Sequence, residues 1–312
     1  MEMRFLSKAV FSTPGCYHRD EMNQQRTGMK TYLDCYPCFL KQTLRAVRMV
    51  REDEPLEKRL LESVMDLLIN LPDGAAPPEI AHRVHALVRE ETGVDDPFRE
   101  AKLKSTREAL ALYPDLRELM KGARDPLETA VRLSIAGNII DLGVRETHAD
   151  LEETVERVLS EPLAVNHLPA LKERLVSVEE LLYLADNAGE TVFDRLLIDV
   201  LPVPVTYGVK GGPILNDAVR EDALAAGVDE SAREIIDSGS RAPGTVLSLC
   251  SEEFRARYRA APLIIAKGQG NYETLSDAGG KVFCLLQVKC PVIGRDLGAP
   301  VGGLIVRQSG AQ

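Results

Sequence analysis

The stretch Leu181-Leu-Tyr-Leu-Ala-Asp-Asn-Ala-Gly-Glu-Thr191 sets the architecture of this chain. Five apolar residues run unbroken, then an acid, an amide and a glycine interrupt them, and a helix-forming segment opens near Thr191. A short continuous apolar run bounded by turn residues is the signature of a strand buried on both faces of a parallel sheet. The unit recurs downstream. Runs at Val203–Val209, Glu234–Ile236, Leu263–Ala266 and Lys281–Val288 alternate with helix-sized segments at Thr191–Val200, Leu215–Ala226, Glu252–Arg259 and Tyr272–Asp277, and Gly302–Val306 adds a last strand. This alternation predicts right-handed βαβ crossovers and an α/β fold with a doubly wound, mainly parallel sheet. Ligands of such sheets bind at the carboxyl ends of the strands, where strand order reverses, so the loops after the apolar runs are where the chemistry is sought.

Upstream the periodicity is helical. Phe39, Leu40, Thr43, Leu44, Val47 and Val50 recur at steps of three and four, and Leu56–Leu71 repeats the pattern before the break Pro72-Asp-Gly-Ala-Ala-Pro-Pro78. Helices are expected at Glu79–Glu91, Pro97–Leu112, Asp115–Lys121 and Pro126–Leu142, with no strand in this half. The chain of 312 residues is long enough for two domains, at roughly 150 residues each. The expected division is an extension over 1–28, an N-terminal all-helical domain over 29–175 and an α/β domain over 176–312. Residues 1–28 are polar, carry Pro14-Gly15 and Asn23-Gln-Gln, and show no period, so they are expected to be a disordered tail preceding Met29.

Composition narrows the function. The chain is 45% hydrophobic and 28% charged, which excludes wholesale disorder. With 38 Lys and Arg against 48 Asp and Glu, the net charge of −10 argues against a nucleic-acid or anionic-membrane binder, though local cations still allow a small anion. No apolar run approaches the ~20 residues needed to span a bilayer. Six cysteines do not make a disulfide scaffold in a chain this long, so a cytoplasmic protein is expected.

The loops are rich in chemistry. Asp186 and Asn187, at the end of the first run, offer adjacent hard oxygen ligands for Mg²⁺ or Mn²⁺, and Gly189 leads into a helix start. Alone, such a turn reads equally as a helix cap. A second loop, Lys210-Gly-Gly-Pro-Ile-Leu-Asn216-Asp217, repeats the Asn/Asp pair at another strand end, which favours a shared metal site. The third loop, Lys267-Gly-Gln-Gly-Asn271, has the glycines, the lysine and the helix start of a phosphate cradle without the Walker spacing. Lys289, after the Lys281–Val288 run, supplies a further cation. Acids and lysines at one sheet edge fit metal-assisted phosphoryl chemistry.

These motifs resemble the metal-dependent damage-control phosphatase family. The resemblance rests on Asp186-Asn-Ala-Gly-Glu190, Lys210-Gly-Gly-Pro with Asn216-Asp217, Lys267-Gly-Gln-Gly-Asn-Tyr-Glu273 and Lys289-Cys-Pro. Asp34-Cys-Tyr-Pro-Cys38 and Gly137-Asn-Ile-Ile-Asp-Leu-Gly143 are similar to its prokaryotic branch. The resemblance implies a Rossmann-like α/β domain beside a helical one, and a metal-dependent phosphatase acting on small phosphorylated metabolites with Mg, Mn, Co or Ni. It implies Asp186, Asn187 and Asp217 as metal ligands, Glu190 as a substrate-contacting acid, and Lys267, Gly268, Gly270, Asn271 and Lys289 as phosphate or substrate contacts. Asp186, Asp217 and Lys267 are the expected catalytic groups. Whether Asp186 attacks phosphorus or a water does so stays open in the sequence.

Some members of this family are described as acidic-residue methyltransferases, so a protein carboxyl methyltransferase using S-adenosylmethionine is one alternative. A non-catalytic anion- or nucleotide-binding protein is another. Asn138 and Asp141, three apart on a helix, are expected either outward-facing or at the cleft roof touching substrate. Cys35 and Cys38 have the Cys-x-x-Cys spacing of redox pairs and of half a zinc site, with Cys290 or Cys284 as a partner if the N-terminal segment folds over the active edge; reduced thiols without a ligand role are the other reading. His82 and His85 share a helix face and are expected to be solvated.

Overall fold

The computed structural model describes residues 28–72, 74–140 and 155–311, without the side chains of 138–140. The expected N-terminal extension therefore lies almost wholly outside the described residues. The chain enters through a single 3₁₀ turn, Leu33–Cys35, into α1 (Tyr36–Val50), α2 (Glu54–Ile69) and α3 (Pro77–Thr92). Local chemistry punctuates these helices. The Asp53 carboxylate accepts from Leu56 N–H at the start of α2, Glu79 accepts from Ala76 N–H at the start of α3, and Gly93 closes α3 in the left-handed region at φ 69°.

Next come α4 (Arg99–Lys121), α5 (Pro126–Ile140) and a helical segment over 155–160 (α6). The two helices expected at 97–112 and 115–121 are one, with Pro114 inside it. A proline costs a helix one hydrogen bond, and burial of Leu112, Tyr113 and Leu116 on one face holds this one together. Asp125 caps α5 by accepting from Glu128 N–H, as the Asp-Pro pair predicts.

The remaining elements are β1 (Val165–Asn166), α7 (Leu168–Leu175), β2 (Leu181–Leu184), α8 (Thr191–Ile198), β3 (Val205–Val209), α9 (Arg220–Ala225), β4 (Glu234–Asp237), α10 (Glu252–Ala260), β5 (Ile264–Lys267), α11 (Gly268–Leu275), β6 (Val282–Gln287), α12 (Pro291–Leu297) and β7 (Leu304–Gln308). The seven strands form one sheet in the order β1-β7-β6-β5-β2-β3-β4. All neighbours pair in parallel except β6 and β7. From β2 the chain winds outward through β3 and β4, then returns to place β5 on the other side of β2. The reversal thus falls between β2 and β5, which opens a crevice at their carboxyl ends.

Strand alternation divides the core in two. Tyr183, Tyr207, Ile265 and Phe283 face one layer with residues of α4, α5, α7, α8 and α9, whereas Leu182, Leu184, Ile264 and Cys284 face the other with residues of α10, α11 and α12. Every residue of β2, β3 and β5 is buried, which explains why their sequences are mostly apolar, with Thr206 in β3 and Lys267 at the end of β5 as the polar members.

The helices of the span 29–175 pack in two ways. Helices α4 and α5 share their core with the sheet, and α7 packs there too, whereas α1, α2 and α3 form two apolar clusters of their own above it. Past the helical pattern but within the span 29–175, Val165–Asn166 adds a short strand to the edge of β7. At Gly137 a Cβ would lie 2.8 Å from the Phe193 ring, so the glycine lets α5 press against α8. His85 is buried, not solvated, and burial pushes it down to about 4, so it is neutral. His82 shares a hydrogen bond with the Arg241 carbonyl at 2.8 Å. Both are covered because α3 lies on the α/β layer.

Candidate active site

The loops after β2 and β3 are stitched together by main-chain bonds. Ala218 N–H donates to the Asp186 carbonyl and Ala188 N–H to the Asn216 carbonyl, each at 2.8 Å, which makes an isolated antiparallel bridge between Asn187 and Asp217. Two acids distant in sequence are thereby held at one place on the sheet edge. Leu215, just before them, has a left-handed φ of 47°, a conformation costing a non-glycine residue ~1–3 kcal/mol that the surrounding bonds must hold.

Asp186, Asn187 and Asp217 line a cavity of about 560 Å³ between the α/β layer and α1 and α3. Gly268, at φ 79°, passes so close beneath Asp186 that a Cβ would lie 1.9 Å from its Oδ2. Burial first, and then the Asp217 carboxylate, push Asp186 up to about 6. Burial likewise raises Asp217 to about 6, against the opposing pull of Lys210. Lys210 Nζ sits 3.5 Å from Asp217 Oδ2 and donates to the Gly244 carbonyl at 2.6 Å. Asp217 Oδ2 is buried yet accepts no hydrogen bond. Asn187 spends its Nδ2 on Asp186 Oδ2 at 3.2 Å and Glu190 Oε1 at 2.5 Å, which orients its amide. Two carboxylates that repel one another, a buried oxygen with no hydrogen bond and only the Lys210 ammonium beside it, and an amide oxygen form a hard donor set suited to a divalent cation. Among the described residues no three His, Cys, Asp or Glu converge on a metal position, so this set depends on its amide.

Behind the cavity lies a second buried cluster. Lys267 Nζ donates to the Ser134 carbonyl at 2.7 Å, to Asp194 Oδ1 at 2.8 Å and to Glu190 Oε2 at 3.1 Å. Burial alone would depress this ammonium, but Asp194 and Glu190 outweigh it and hold it above the usual lysine range. Burial raises Glu190, with Lys267 opposing. The hydroxyls of Tyr183 and Tyr207 complete the cluster by donating to Asp194, each at 2.7 Å.

The structure therefore separates the expected contacts. Gly270 and Lys289 line the cavity. Lys267, expected to meet phosphate, is sealed behind it with all three donors used. Asn271 is buried and bonded to the Ala185 and Lys267 carbonyls and to Thr245, so it braces the start of α11. Glu190 reaches the cavity through Asn187. The side chain of Asn138 and all of Asp141 lie outside the described residues.

Cys35, Cys38 and Cys290 do meet at the cavity rim, because the N-terminal segment folds over the active edge: Met29 N–H donates to the Glu273 carbonyl at 2.8 Å, and Arg295 pairs with Asp34 at 2.5 Å. All three thiols are free. Among the described residues no group of three His, Cys, Asp or Glu is placed to hold a metal, at this rim or elsewhere.

Four residues of the site were not singled out from sequence. Lys210 and Glu273 stand inside motifs quoted for other members. Asp194 lies one helical turn after Glu190, and two acids on one buried face signal a cation between them. Gln269 is hidden in a glycine-rich turn, yet it donates to Glu273 Oε1 at 2.9 Å and accepts from Lys289 N–H at 3.2 Å.

Comparison with known proteins finds relatives over most of the chain. The chain is 37% identical over 283 residues to a protein of Pyrococcus horikoshii named damage-control phosphatase, covering 89% of this chain and 97% of that one. It is 35% identical over 282 residues to a protein of the same description from Archaeoglobus fulgidus, covering 88% and 97%. A crystal structure of a DUF89 family protein from Pyrococcus horikoshii matches with a TM-score of 0.83 at 35% identity, covering 90% of this chain and 99% of that one. The family model of the damage-control phosphatase ARMT1-like domain matches residues 31–305, and the chain belongs to that family.

Proposed function

We propose that this protein is a metal-dependent phosphomonoesterase acting on small phosphorylated metabolites, with Asp186, Asn187 and Asp217 holding the metal. The observation that carries this reading is the pair of buried carboxylates locked together by the loops after β2 and β3, with one oxygen lacking any hydrogen bond. When bound, a divalent ion there would supply Lewis-acid polarisation of a phosphoryl oxygen. The chain's own groups do the rest. Lys289, at the rim, meets the phosphate as a point charge. The first turn of α11, at Gln269 and Gly270, offers main-chain N–H groups that an anion can accept. Lys267 acts at a distance: it offsets Glu190 and Asp194 from behind, so that Glu190 can hold the Asn187 amide in one orientation. The helices α1 and α3 cover the cavity and exclude water from the ester.

The donor set suits Mg²⁺ or Mn²⁺ first, with Co²⁺ and Ni²⁺ as substitutes. Methyl transfer is less well supported, because the turn after β2 carries acids where a nucleoside cofactor needs a glycine-rich loop with its acid further on. Among the described residues no helix is long and apolar enough to cross a membrane.

A panel of phosphomonoesters assayed with each of the four metals, for wild type and Asp217→Asn, tests the proposal. Metal-dependent phosphate release by wild type and its loss in the variant is the expected result. Turnover retained by Asp217→Asn with excess Mg²⁺ or Mn²⁺ would sink the metal assignment.

A further inference from the structure

Resting on the phosphatase reading, we infer that the cavity selects monoesters whose leaving group carries no second negative charge, and that Glu273 is the residue that enforces this. The argument starts from where the cations are. Among the described residues lining the cavity, Lys289 is the one lysine or arginine. Lys210 and Lys267 are close but sealed, the first on the Gly244 carbonyl beside Asp217, the second on Ser134, Glu190 and Asp194. Both offset carboxylates and neither lines the cavity, and Lys267 has all three of its donors used. Asp186, Asp217 and Glu273 set against Lys210, Lys289 and a divalent ion leave a formal excess of one positive charge, less than one phosphate dianion carries, so nothing remains for another anion.

The rest of the wall is acidic and apolar. Phe39 and Ala81 present hydrocarbon from the helices above, while Asp34 and Glu273 contribute carboxylates. Asp34 is offset by Arg295, whereas Glu273 forms no ion pair among the described residues. Nor can Glu273 swing away freely. Gln269, one turn earlier on α11, donates to its Oε1 at 2.9 Å and at the same time accepts from the Lys289 main chain at 3.2 Å. The carboxylate is thereby fixed beside the loop that brings in the phosphate-binding lysine. A leaving group extending from a phosphate held at Lys289 passes Glu273. In a partly dehydrated cavity a second carboxylate or phosphate at that point is repelled with little screening, whereas a hydroxylated or cationic group is not.

Pairs of esters matched in size test this in the metal-loaded protein at pH 8, above the value of about 7 to which burial raises Glu273. Suitable pairs are glycerol 3-phosphate with 3-phosphoglycerate, and glucose 6-phosphate with 6-phosphogluconate. Wild type should show kcat/KM at least tenfold lower for the anionic member of each pair. Calorimetry with propylphosphonate and 3-phosphonopropionate, which cannot turn over, should show the same bias in binding. Glu273→Gln should narrow both ratios at least threefold, and Glu273→Asp should keep them. Equal kcat/KM within the pairs in wild type overturns the inference without any variant having to fold. A ratio unchanged in Glu273→Gln overturns the role of Glu273. Absence of phosphate release from every ester with every metal is a different result, and it overturns the phosphatase reading itself.

Discussion

Asn187 and Asp217, thirty positions apart, are joined main chain to main chain at the edge of the sheet, and this bridge is what turns two ordinary strand-end loops into one site. It places the Asp186 and Asp217 carboxylates in mutual repulsion before any ligand arrives. The energy stored there is available to a cation that relieves it, and several measurable consequences follow from that arrangement.

Stability of the metal-free protein should have an inverted dependence on pH. Asp186 and Asp217 titrate at about 6 in the folded chain, above the ~3.9 of an unfolded aspartate. A folded carboxyl with a raised pKa holds its proton more tightly than the unfolded one. Its contribution is therefore destabilising, absent below the unfolded value and complete above the folded one. Urea midpoints measured with a chelator should fall as pH rises from about 4 to about 6, and Asp217→Asn should flatten that slope. Metal affinity should rise across the same window, as protons stop competing. A metal-free protein that gains stability over this range, with no difference in the variant, would contradict the arrangement.

Lys267→Met should be among the most destabilising single changes at the sheet edge. It keeps the volume but leaves Glu190 and Asp194 buried without their counter-charge. Breaking a buried pair by removing one partner costs ~3–5 kcal/mol. Urea unfolding at neutral pH is the measurement, and a loss under about 1 kcal/mol would show the cluster to be dispensable.

Gly268→Ala tests how tightly the ligand carboxylate is seated. The added Cβ would meet Asp186 Oδ2 at 1.9 Å, on a backbone already at φ 79°. Displacing a ligand through its supporting contacts lowers metal affinity by roughly 10–100-fold. Titration of Mn²⁺ followed by paramagnetic resonance should show such a loss while the far-ultraviolet dichroism is kept.

The rim cysteines should not carry a metal. Changing Cys35 and Cys38 to Ser should leave the metal content of the purified protein unchanged, by elemental analysis, and a stoichiometric loss would restore the auxiliary site.

Element type was legible wherever the pattern was strong. The fully buried strands β2, β3 and β5 read as apolar runs because both of their faces are covered, and the Asp125-Pro126 cap was visible because capping is local chemistry. Pro114 misled for the same reason: a local rule predicted a break, and distant packing on α8 and the sheet overrode it. The meeting of Asp186, Asn187 and Asp217 in one cavity was legible because an Asp/Asn pair stands at each of two strand ends. The role of Lys267 was not, since a lysine in a glycine-rich turn looks alike whether its ammonium points outward to phosphate or inward to Glu190 and Asp194. That direction depends on Ser134 and Asp194, which other helices bring to it. Nor could the linear chain show that Glu273 and Lys289 are tied through Gln269, or that α3 buries His85 against the α/β layer. Periodicity and turn chemistry act over a few residues and so are written in the order of the chain. Burial and charge pairing act over a few ångströms between segments far apart in sequence, and they exist only once the sheet has brought those segments together.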